Sequence, residues 1–585
     1  MNLQPSVQRR LVTLLALFTI GAVALLGRLF YIQVWARNDL QGRNLVAASI
    51  EQRRETFVID SGRGDILDRN GQSLTGSRIR GVLVMPLWKK GELDPNKVQE
   101  LASILQARPE EVQKGLLKID RPSLLRLPGR DGKDQVVELS EDQANAVNKL
   151  ELPGVYGKEI KIRYDENSLA RHVVGFIGQD PELVAGMFQG KYRPDEKIGK
   201  MGLEFLFQDD LRGLGRSKTI SYFIDGEKRP VNGLGIRMTD EENRALSVKT
   251  TLDIDVQKAV ESAMDKHGLR KGSVVVLDPK TEDILAMASR PQYDQNAPIQ
   301  RNEYPSNKAV EADFPGSVFK VVIAAAALEK GLVHPGDVYD CPGYIEIGDG
   351  KLNCWKEQGH GRITAEQGFA QSCNVVFASL AMKLGRPAIE EYAAKMGLGQ
   401  PAAEPVDGKP QLYGEDPGRI FIKKETSSRL LANTGIGQED VRVSPLQAAH
   451  MMASILNGNQ AGKPRLVTEL QTSNDGMLYK SFEKKVQPTP YLEKATTQEL
   501  QRLMRQVVAS PKGTAHFLQS AKVPIAGKTG TAQTGNANLH HHWFAGYAPV
   551  DKPKYVIVVM AEDVASDLGS QLVQNVTKEI VDKLF

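Results

Sequence analysis

The chain has 585 residues, a formal net charge of +4 and 25% charged residues, enough length for several domains and a large hydrophobic core. No basic patch alternates with aromatic residues, so nucleic acid is excluded as the expected partner. The three cysteines are few and odd in number.

The first predicted element is an apolar run over residues 11–34, preceded by Arg9 and Arg10. A bilayer needs about twenty apolar residues, and this run is long enough to cross one. Arg28 can extend its charged end toward the interface, where Trp35 also fits. The arginines before the run predict a cytoplasmic tail at residues 1–10, a single transmembrane anchor and an extracytoplasmic remainder. A cleaved signal peptide is the alternative, but no small-x-small cleavage site follows the run.

Residues 45–245 are predicted to form a second unit. Asn70-Gly71 is a turn signal after a short strand. Asp94-Pro95 begins one helix, and the stretch from Ser140 to Gln143 has the pattern of a capping box that begins another.

A third unit, residues 250–585, carries short apolar strands at both ends and buried helices between them. This pattern predicts an α+β domain, a five-stranded antiparallel sheet with helices on both faces. The predicted strands and the closing helix are 274–277, 284–288, 523–534, 543–548, 555–560 and 570–584.

The run Phe314–Gly331 predicts a core helix, because Lys320 is its only charged residue between Ser317 and Leu328. Ser317 and Lys320 are three residues apart and therefore share one face. Burial lowers the pKa of a lysine, so a neutral amine can take the serine proton and make the hydroxyl a nucleophile. A helix-capping serine with a solvated lysine is the alternative reading.

Two later triplets decide between these readings. Ser372-Cys373-Asn374 precedes a second apolar helix, and Lys528-Thr529-Gly530 lies in a strand-like run. The order S-x-x-K, S-x-N, K-T-G resembles the penicillin-recognising acyl transferases. The residues around the first and third motifs resemble a monofunctional class B penicillin-binding protein, of the elongation type (penicillin-binding protein 2) or the sporulation type.

That resemblance implies a membrane-anchored peptidoglycan D,D-transpeptidase that forms a serine acyl-enzyme and is inhibited by β-lactams. It implies Ser317 as nucleophile, Lys320 as base, Ser372 as proton bridge to the leaving amine, and Asn374 as the residue that orients Lys320 and the substrate amide.

For the substrate, the resemblance implies binding along the third motif. Lys528 supplies positive potential near Ser372, and Thr529 and Thr531 bind the terminal carboxylate. Gly530 is expected to leave room for the substrate at the strand edge.

Further segments resemble the family's pedestal signatures, and their charged residues are expected to form ion pairs that lock the pedestal to the catalytic domain. The implied partners are stem peptides, β-lactams, the cell membrane and a polytopic glycosyltransferase of the SEDS type, and the chemistry needs no cofactor. The segments are 63–71, 163–164, 170–178 and 199–204.

Two other functions fit parts of the pattern. A β-lactam-sensing receptor needs several membrane spans and a larger cytoplasmic domain, whereas one span is predicted here. A catalytically weak scaffold for a glycosyltransferase does not need the three intact motifs.

A separate group lies between the first two motifs: Cys341, Cys354, His360 and Cys373. Three cysteines and one histidine can form a closed tetrahedral zinc site, and elongation-type relatives have a metal site with similar spacing. A Cys341–Cys354 disulfide, a regulatory disulfide of Cys373 as in sporulation-type relatives, and unpaired buried thiols are the alternatives. The stretch His540-His541-His542 follows a polar segment and is predicted to be a loop rather than a metal site.

Overall fold

The structure is a computed structural model, and it divides into two compact units. The first takes its described residues from 1–61, 78–161 and 216–242, the second from 62–77, 162–215 and 243–585. Two segments of the predicted pedestal, 62–77 and 162–215, thus belong to the unit that contains the three motifs. The described residues are 5–32, 54–86, 93–129, 134–214, 217–223, 237–240, 244–422, 427–457, 462–484, 486, 492–535 and 538–585.

The chain begins with a helix over Pro5–Phe30. Its part Arg9–Phe30 has 22 residues, a mean hydropathy of 2.1 and no burial inside the protein. By length and composition it is a candidate membrane span. Residues 33 and 34 of the predicted anchor lie outside the described residues.

The rest of the first unit consists of short helices and small sheets. Asp94 and Ser140 each begin a helix by accepting a backbone N–H, and Ser140 forms the predicted capping box with Gln143. The helices are Pro95–Leu105, Pro109–Lys118 and Glu141–Lys149. The strands are Arg54–Asp60, Ser77–Val84, Ser123–Leu124, Arg126–Pro128, Asp134–Val136, Val155–Ile162, Lys218–Phe223 and Arg237–Asp240.

The second unit contains a five-stranded sheet, called here the central sheet, in which every neighbouring pair is antiparallel. Adjacent residues of a strand point to opposite faces. His541 points to the face where Asp313 lies, and a Cβ at Gly569 of the C-terminal helix would touch His542 on the other face. The helices Pro445–Asn457 and Ser566–Leu584 both pack on strands of this sheet, and the predicted α+β fold class is confirmed. In spatial order the strands are Ile284–Arg290, Gly272–Leu277, Tyr555–Ala565, Leu539–Ala548 and Ala526–Gln533.

Smaller sheets and helices complete the second unit. The other strands are Ile66–Leu67, Leu246–Thr250, Val467–Thr472, Leu478–Ser481, Ile177–Gln179, Lys197–Gly199, Val338–Cys341, Gly361–Thr364, Tyr344–Ile347 and Gly350–Asn353. The α-helices are Arg171–Val174, Pro181–Gly186, Gly202–Leu206, Gln208–Arg212, Ile254–Lys266, Lys320–Glu329, Ala365–Ala370, Asn374–Lys395, Ser428–Gly435, Pro445–Asn457, Lys494–Ala509 and Ser566–Leu584. Single 3-10 turns are Arg301–Glu303, Gly316–Phe319 and His516–Ser520.

Candidate active site

The turn that carries Ser317 is fixed by close backbone packing. A 3-10 turn over Gly316–Phe319 leads into the helix Lys320–Glu329. Gly316 has φ +50°, and a Cβ there would lie 2.3 Å from the Thr531 carbonyl oxygen. The Gly316 N–H donates to the Gly437 carbonyl at 3.0 Å. Ser317 is thus held against the edge strand of the central sheet.

Lys320 is fully buried one turn after Ser317. Its Nζ donates to the Ser372 carbonyl at 2.8 Å, to Ser372 Oγ at 3.2 Å and to Asn374 Oδ1 at 2.8 Å. Across the described part of the chain, the Ser317 hydroxyl makes no hydrogen bond. Lys320 is therefore hydrogen-bonded to the S-x-N motif, and the Ser317 hydroxyl is available to react with a substrate.

Burial governs the charge of both motif lysines. It lowers the pKa of Lys320 to about 8, although the Cys373 and Cys354 thiols oppose the shift. Burial lowers the pKa of Lys528 as well, and the neighbouring Lys320 charge adds to that effect. A neutral amine is therefore accessible near physiological pH, as the sequence predicts.

Ser372 Oγ lies between the two lysines. It accepts from Lys528 Nζ at 2.9 Å in addition to Lys320 Nζ. Because two N–H groups occupy its oxygen, the Ser372 proton is free to point away from both lysines. Ser372 has φ +56°, a backbone conformation that costs a non-glycine residue energy and that recurs at functional sites.

The Asn374 side chain has fewer hydrogen-bonding groups available for a substrate than the sequence suggests. Its Nδ2 donates to the Asn353 carbonyl at 3.1 Å, while its Oδ1 holds Lys320. One N–H of the amide remains for a substrate, because the NH₂ group carries two donors.

The K-T-G-T residues lie on Ala526–Gln533, which is the edge strand of the central sheet. Thr529 Oγ1 lies 2.6 Å from Thr514 Oγ1. A Cβ at Gly530 would lie 2.7 Å from the Pro315 carbonyl oxygen and 3.0 Å from Val318. The expectation that Gly530 leaves room for substrate is therefore corrected: the glycine is needed because the Ser317 turn packs on this strand.

Sequence reasoning missed several residues of the site. Phe377 and Phe369 place their rings 5.6 Å from Lys320 Nζ and 6.0 Å from Lys528 Nζ, and their positions beside S-x-N could have indicated this. Trp355 is 58% exposed and donates its indole N–H to the Gln371 carbonyl at 3.0 Å. Thr514 comes from a turn that no motif marked.

The four residues Cys341, Cys354, His360 and Cys373, called here the thiol cluster, do come together. Their ligand atoms all lie within 4.8 Å of one another, and all three cysteines are free thiols. His360 Nδ1 is 3.5 Å from the sulfurs of Cys341 and Cys354, and the Cys354 and Cys373 sulfurs are 4.0 Å apart.

Two donors of the thiol cluster, Cys354 and His360, favour the protonation state that a cation binds, whereas Cys373 favours its protonated thiol. A hydrogen bond from Cys373 lowers the pKa of Cys354 to about 4 and raises that of Cys373. Burial lowers the pKa of His360 and favours its neutral form. A tetrahedral zinc ion with ordinary bond lengths separates two sulfurs by about 3.8 Å and a sulfur from a nitrogen by about 3.6 Å. Three of the spacings, 3.5, 3.5 and 4.0 Å, are close to those values, and the whole set lies within 4.8 Å, whereas a disulfide bond needs about 2.0 Å.

The predicted loop at His540–His542 is wrong. These residues begin the strand Leu539–Ala548, because pairing with both neighbouring strands outweighs the local polarity. His541 Nε2 lies 3.1 Å from Asp313 Oδ2 and its Nδ1 accepts the Asp563 N–H at 3.2 Å.

The pedestal signatures converge on Glu204, which is fully buried. Its carboxylate accepts from Arg63 Nε, Arg163 Nε and the Tyr164 hydroxyl, each at 2.7 Å. Burial alone would raise the pKa of Glu204, but Arg163 and Arg63 outweigh it and the pKa is lowered. Ion pairs therefore join three of the signature segments to one another within the second unit, and a lock between the pedestal and the catalytic domain stays a prediction.

The sequence matches two family models. The model described as penicillin binding protein transpeptidase domain matches residues 272–582, and the model described as penicillin-binding protein dimerisation domain matches residues 58–234.

Relatives match over most of their length. The chain is 28% identical to stage V sporulation protein D of Bacillus subtilis, over 95% of this chain and 82% of the relative. It is 26% identical to peptidoglycan D,D-transpeptidase MrdA of Escherichia coli, over 95% of this chain and 91% of the relative.

Solved structures agree on the fold. A chain from a study of polymerization and crosslinking by a peptidoglycan synthase complex has 26% identity and a TM-score of 0.67, covering 98% of both chains. Pseudomonas aeruginosa PBP2 in complex with WCK 5153 has 23% identity and a TM-score of 0.60, covering 91% of this chain and 96% of that one, and supports the fold alone.

Proposed function

We propose that this chain, which belongs to the penicillin-binding protein transpeptidase family, is a peptidoglycan D,D-transpeptidase that works through a Ser317 acyl-enzyme. The observation that carries the proposal is a shared contact: Lys320, three residues after Ser317, and Lys528 both donate to Ser372 Oγ, and Lys320 also donates to Asn374 Oδ1. The receptor and scaffold alternatives are not favoured, because relatives named as transpeptidases match nearly the whole chain.

In the first step, Ser317 Oγ attacks the carbonyl between the two terminal D-alanines of a stem peptide. Its proton goes to the neutral amine of Lys320, whose buried position favours that form. The oxygen–carbon bond forms first and gives a tetrahedral oxyanion, and the carbon–nitrogen bond breaks when the leaving nitrogen receives a proton from Ser372, which takes its replacement from Lys320 Nζ. Ser372 can pass this proton to the leaving D-alanine amine, since both lysines donate to its oxygen.

In the second step, an amine of a neighbouring stem peptide attacks the acyl carbon, and the ester bond to Ser317 Oγ breaks as the new amide bond forms. The amine gives up a proton through Ser372 and Lys320, and Ser317 Oγ takes one from Lys320, so the free hydroxyl is restored. The hydroxyls of Thr529 and Thr531 bind the terminal carboxylate of the donor peptide. Backbone N–H groups of Ser317 and Thr531 stabilise the oxyanion, and one such donor contributes about 3–4 kcal/mol in comparable enzymes. A β-lactam acylates the same serine and remains there.

The test is labelling with a fluorescent penicillin, followed by peptide mapping of the modified residue. We expect label on Ser317 in the wild type, none in Ser317→Ala and full labelling in the control Ser306→Ala, which changes an exposed serine of the same domain. A labelled Ser317→Ala variant would show that another residue is the nucleophile. Purified enzyme that transfers the acyl group only to water would instead indicate a carboxypeptidase.

The thiol cluster is proposed to hold a structural zinc ion. The donor set of three sulfurs and one imidazole nitrogen leaves no open position for a catalytic water. When bound, the metal supplies a cross-link between the segments that carry its ligands. Metal analysis with thiol counting should find about one zinc per chain and no disulfide; absence of metal together with a single free thiol would favour the disulfide.

The candidate span Arg9–Phe30 is proposed as a single-pass anchor with residues 1–10 in the cytoplasm and the catalytic unit outside. Protease added to intact spheroplasts should digest the catalytic unit and spare a tag at the N-terminus; the reverse would invert the topology. A polytopic glycosyltransferase is the proposed partner, since a similar chain belongs to a study of a peptidoglycan synthase complex. Coexpression with that enzyme class should raise cross-linked product above either protein alone.

A further inference from the structure

The segment before the K-T-G-T strand folds into a tight turn that fixes Thr514. Gly513 donates its N–H to the Ser510 carbonyl at 2.8 Å, and Ala515 donates to the Val507 carbonyl at 3.1 Å. A Cβ at Gly513 would lie 2.2 Å from the Val507 carbonyl oxygen. The backbone on both sides of Thr514 is therefore held against the end of the helix Lys494–Ala509.

Thr514 touches three separate elements from this turn. Its N–H donates to the Ala370 carbonyl at 3.2 Å, two residues before Ser372. Its carbonyl accepts from Gln574 Nε2 of the C-terminal helix at 3.4 Å. Its hydroxyl oxygen lies 2.6 Å from that of Thr529.

The hydroxyl pair has a directional requirement. A carboxylate accepts hydrogen bonds and donates none, and Thr529 has a single proton. If Thr529 gives that proton to Thr514, it meets a substrate carboxylate with a lone pair. If Thr514 donates to Thr529, the Thr529 proton is free for the carboxylate, and each bond in such a chain strengthens the next. Threonine also suits the position, since its β-branched side chain restricts χ1.

We infer that Thr514 is a positioning residue for recognition of the donor peptide's terminal carboxylate, acting by donating its hydroxyl proton to Thr529 Oγ1. The inference rests on the proposed role of Thr529 in carboxylate binding. It assigns a function to a residue that lies 14 positions before Lys528 in the sequence, outside the three motifs.

The test compares Thr514→Val, which removes the hydroxyl at nearly constant shape, with Thr514→Ser, which keeps it. Thr577→Val is the matched control, because Thr577 is a buried threonine whose hydroxyl donates to the Val573 carbonyl at 2.7 Å, within its own helix. The full chain in detergent is given two acyl-D-alanyl thioesters, one ending in thioglycolate and one in the uncharged thioglycolamide. Release of thiol reports acylation.

With the carboxylate thioester, Thr514→Val should lower kcat/KM about fivefold, the usual size for loss of one neutral hydrogen bond, because the Thr529 hydroxyl loses the partner that orients it toward the carboxylate. With the carboxamide it should change kcat/KM by no more than about twofold, as Thr577→Val should with both probes. Thr514→Ser should retain most activity. Equal losses of Thr514→Val with the two probes would mean a merely structural role and would overturn the inference.

Thr529→Val separates this inference from the function on which it rests. If Thr529→Val loses activity only with the carboxylate probe while Thr514→Val loses none, the inference about Thr514 fails and the role of Thr529 stands. If Thr529→Val loses activity equally with both probes, the carboxylate role of Thr529 fails and the inference fails with it.

Discussion

Lys320 Nζ donates to Asn374 Oδ1 across 2.8 Å, so the proposed base is aimed by the S-x-N motif rather than by the serine it must deprotonate. In the ammonium form this contact occupies one of three N–H donors, and the carbonyl and hydroxyl oxygens of Ser372 take the other two. An ammonium could fill all three positions, but burial disfavours its charge. The pH dependence of acylation follows from that balance.

The rate constant for acylation by benzylpenicillin should rise with pH and level off above a single pKa of about 8, since only the neutral amine accepts the Ser317 proton. Stopped-flow measurements from about pH 6 to about pH 10 test this. Asn374→Asp should move the midpoint upward, because a carboxylate at 2.8 Å favours the ammonium. A rate that still climbs at the highest pH would argue against a buried amine as base.

Gly437→Ala should abolish labelling by penicillin and destabilise the second unit by at least about 2 kcal/mol. Gly437 has φ +76°, and its Cβ would lie 1.9 Å from the Gly316 carbonyl oxygen, next to Ser317. Gly408→Ala is the control: φ is +74° and nothing lies within 4 Å, so only the backbone term of about 1–2 kcal/mol applies. Thermal unfolding and labelling stoichiometry check both variants. Equal effects would mean that the close contact is unimportant.

The three motifs and the fold class could be predicted from sequence because each rests on local signals: an apolar helix around Lys320, a strand at Lys528 and turn residues between strands. The contacts between segments that are distant in sequence could not be predicted in this way. Thr514 contacts Thr529 only because a turn packs against an edge strand. Nothing in the sequence of either segment indicates that it contacts the other.

Two predictions made from the local sequence, for Gly530 and for residues 540–542, differ from the structure for related reasons. Gly530 is a glycine because Pro315 approaches it, and that approach depends on tertiary packing. The polar stretch His540–His542 forms a strand because its neighbours in the sheet satisfy its backbone. In both cases a partner distant in sequence decides the local structure.

Glu204→Gln should destabilise the second unit by about 3–5 kcal/mol, because two buried arginines lose the charge that compensates them. Glu391→Gln is the matched control: it weakens exposed pairs with Lys395 and Lys330, which contribute about 0–1 kcal/mol. Urea unfolding followed by tryptophan fluorescence measures both. A Glu204→Gln variant as stable as the control would show that the buried pairs add little over their desolvation.

Asp313→Asn should lower the thermal midpoint more at about pH 5.5 than at about pH 8.5. Burial lowers the pKa of His541, but Asp313, with Glu562 and Asp563 nearby, outweighs it and raises the pKa. A raised folded-state pKa adds stability that is fully present below the unfolded value of 6.5 and is lost as pH rises through the folded value. Neutral His541 accepts the Asp563 N–H through Nδ1, a bond that the imidazolium cannot accept, so the fold itself should persist at high pH. A midpoint difference independent of pH would mean that His541 does not carry the charge.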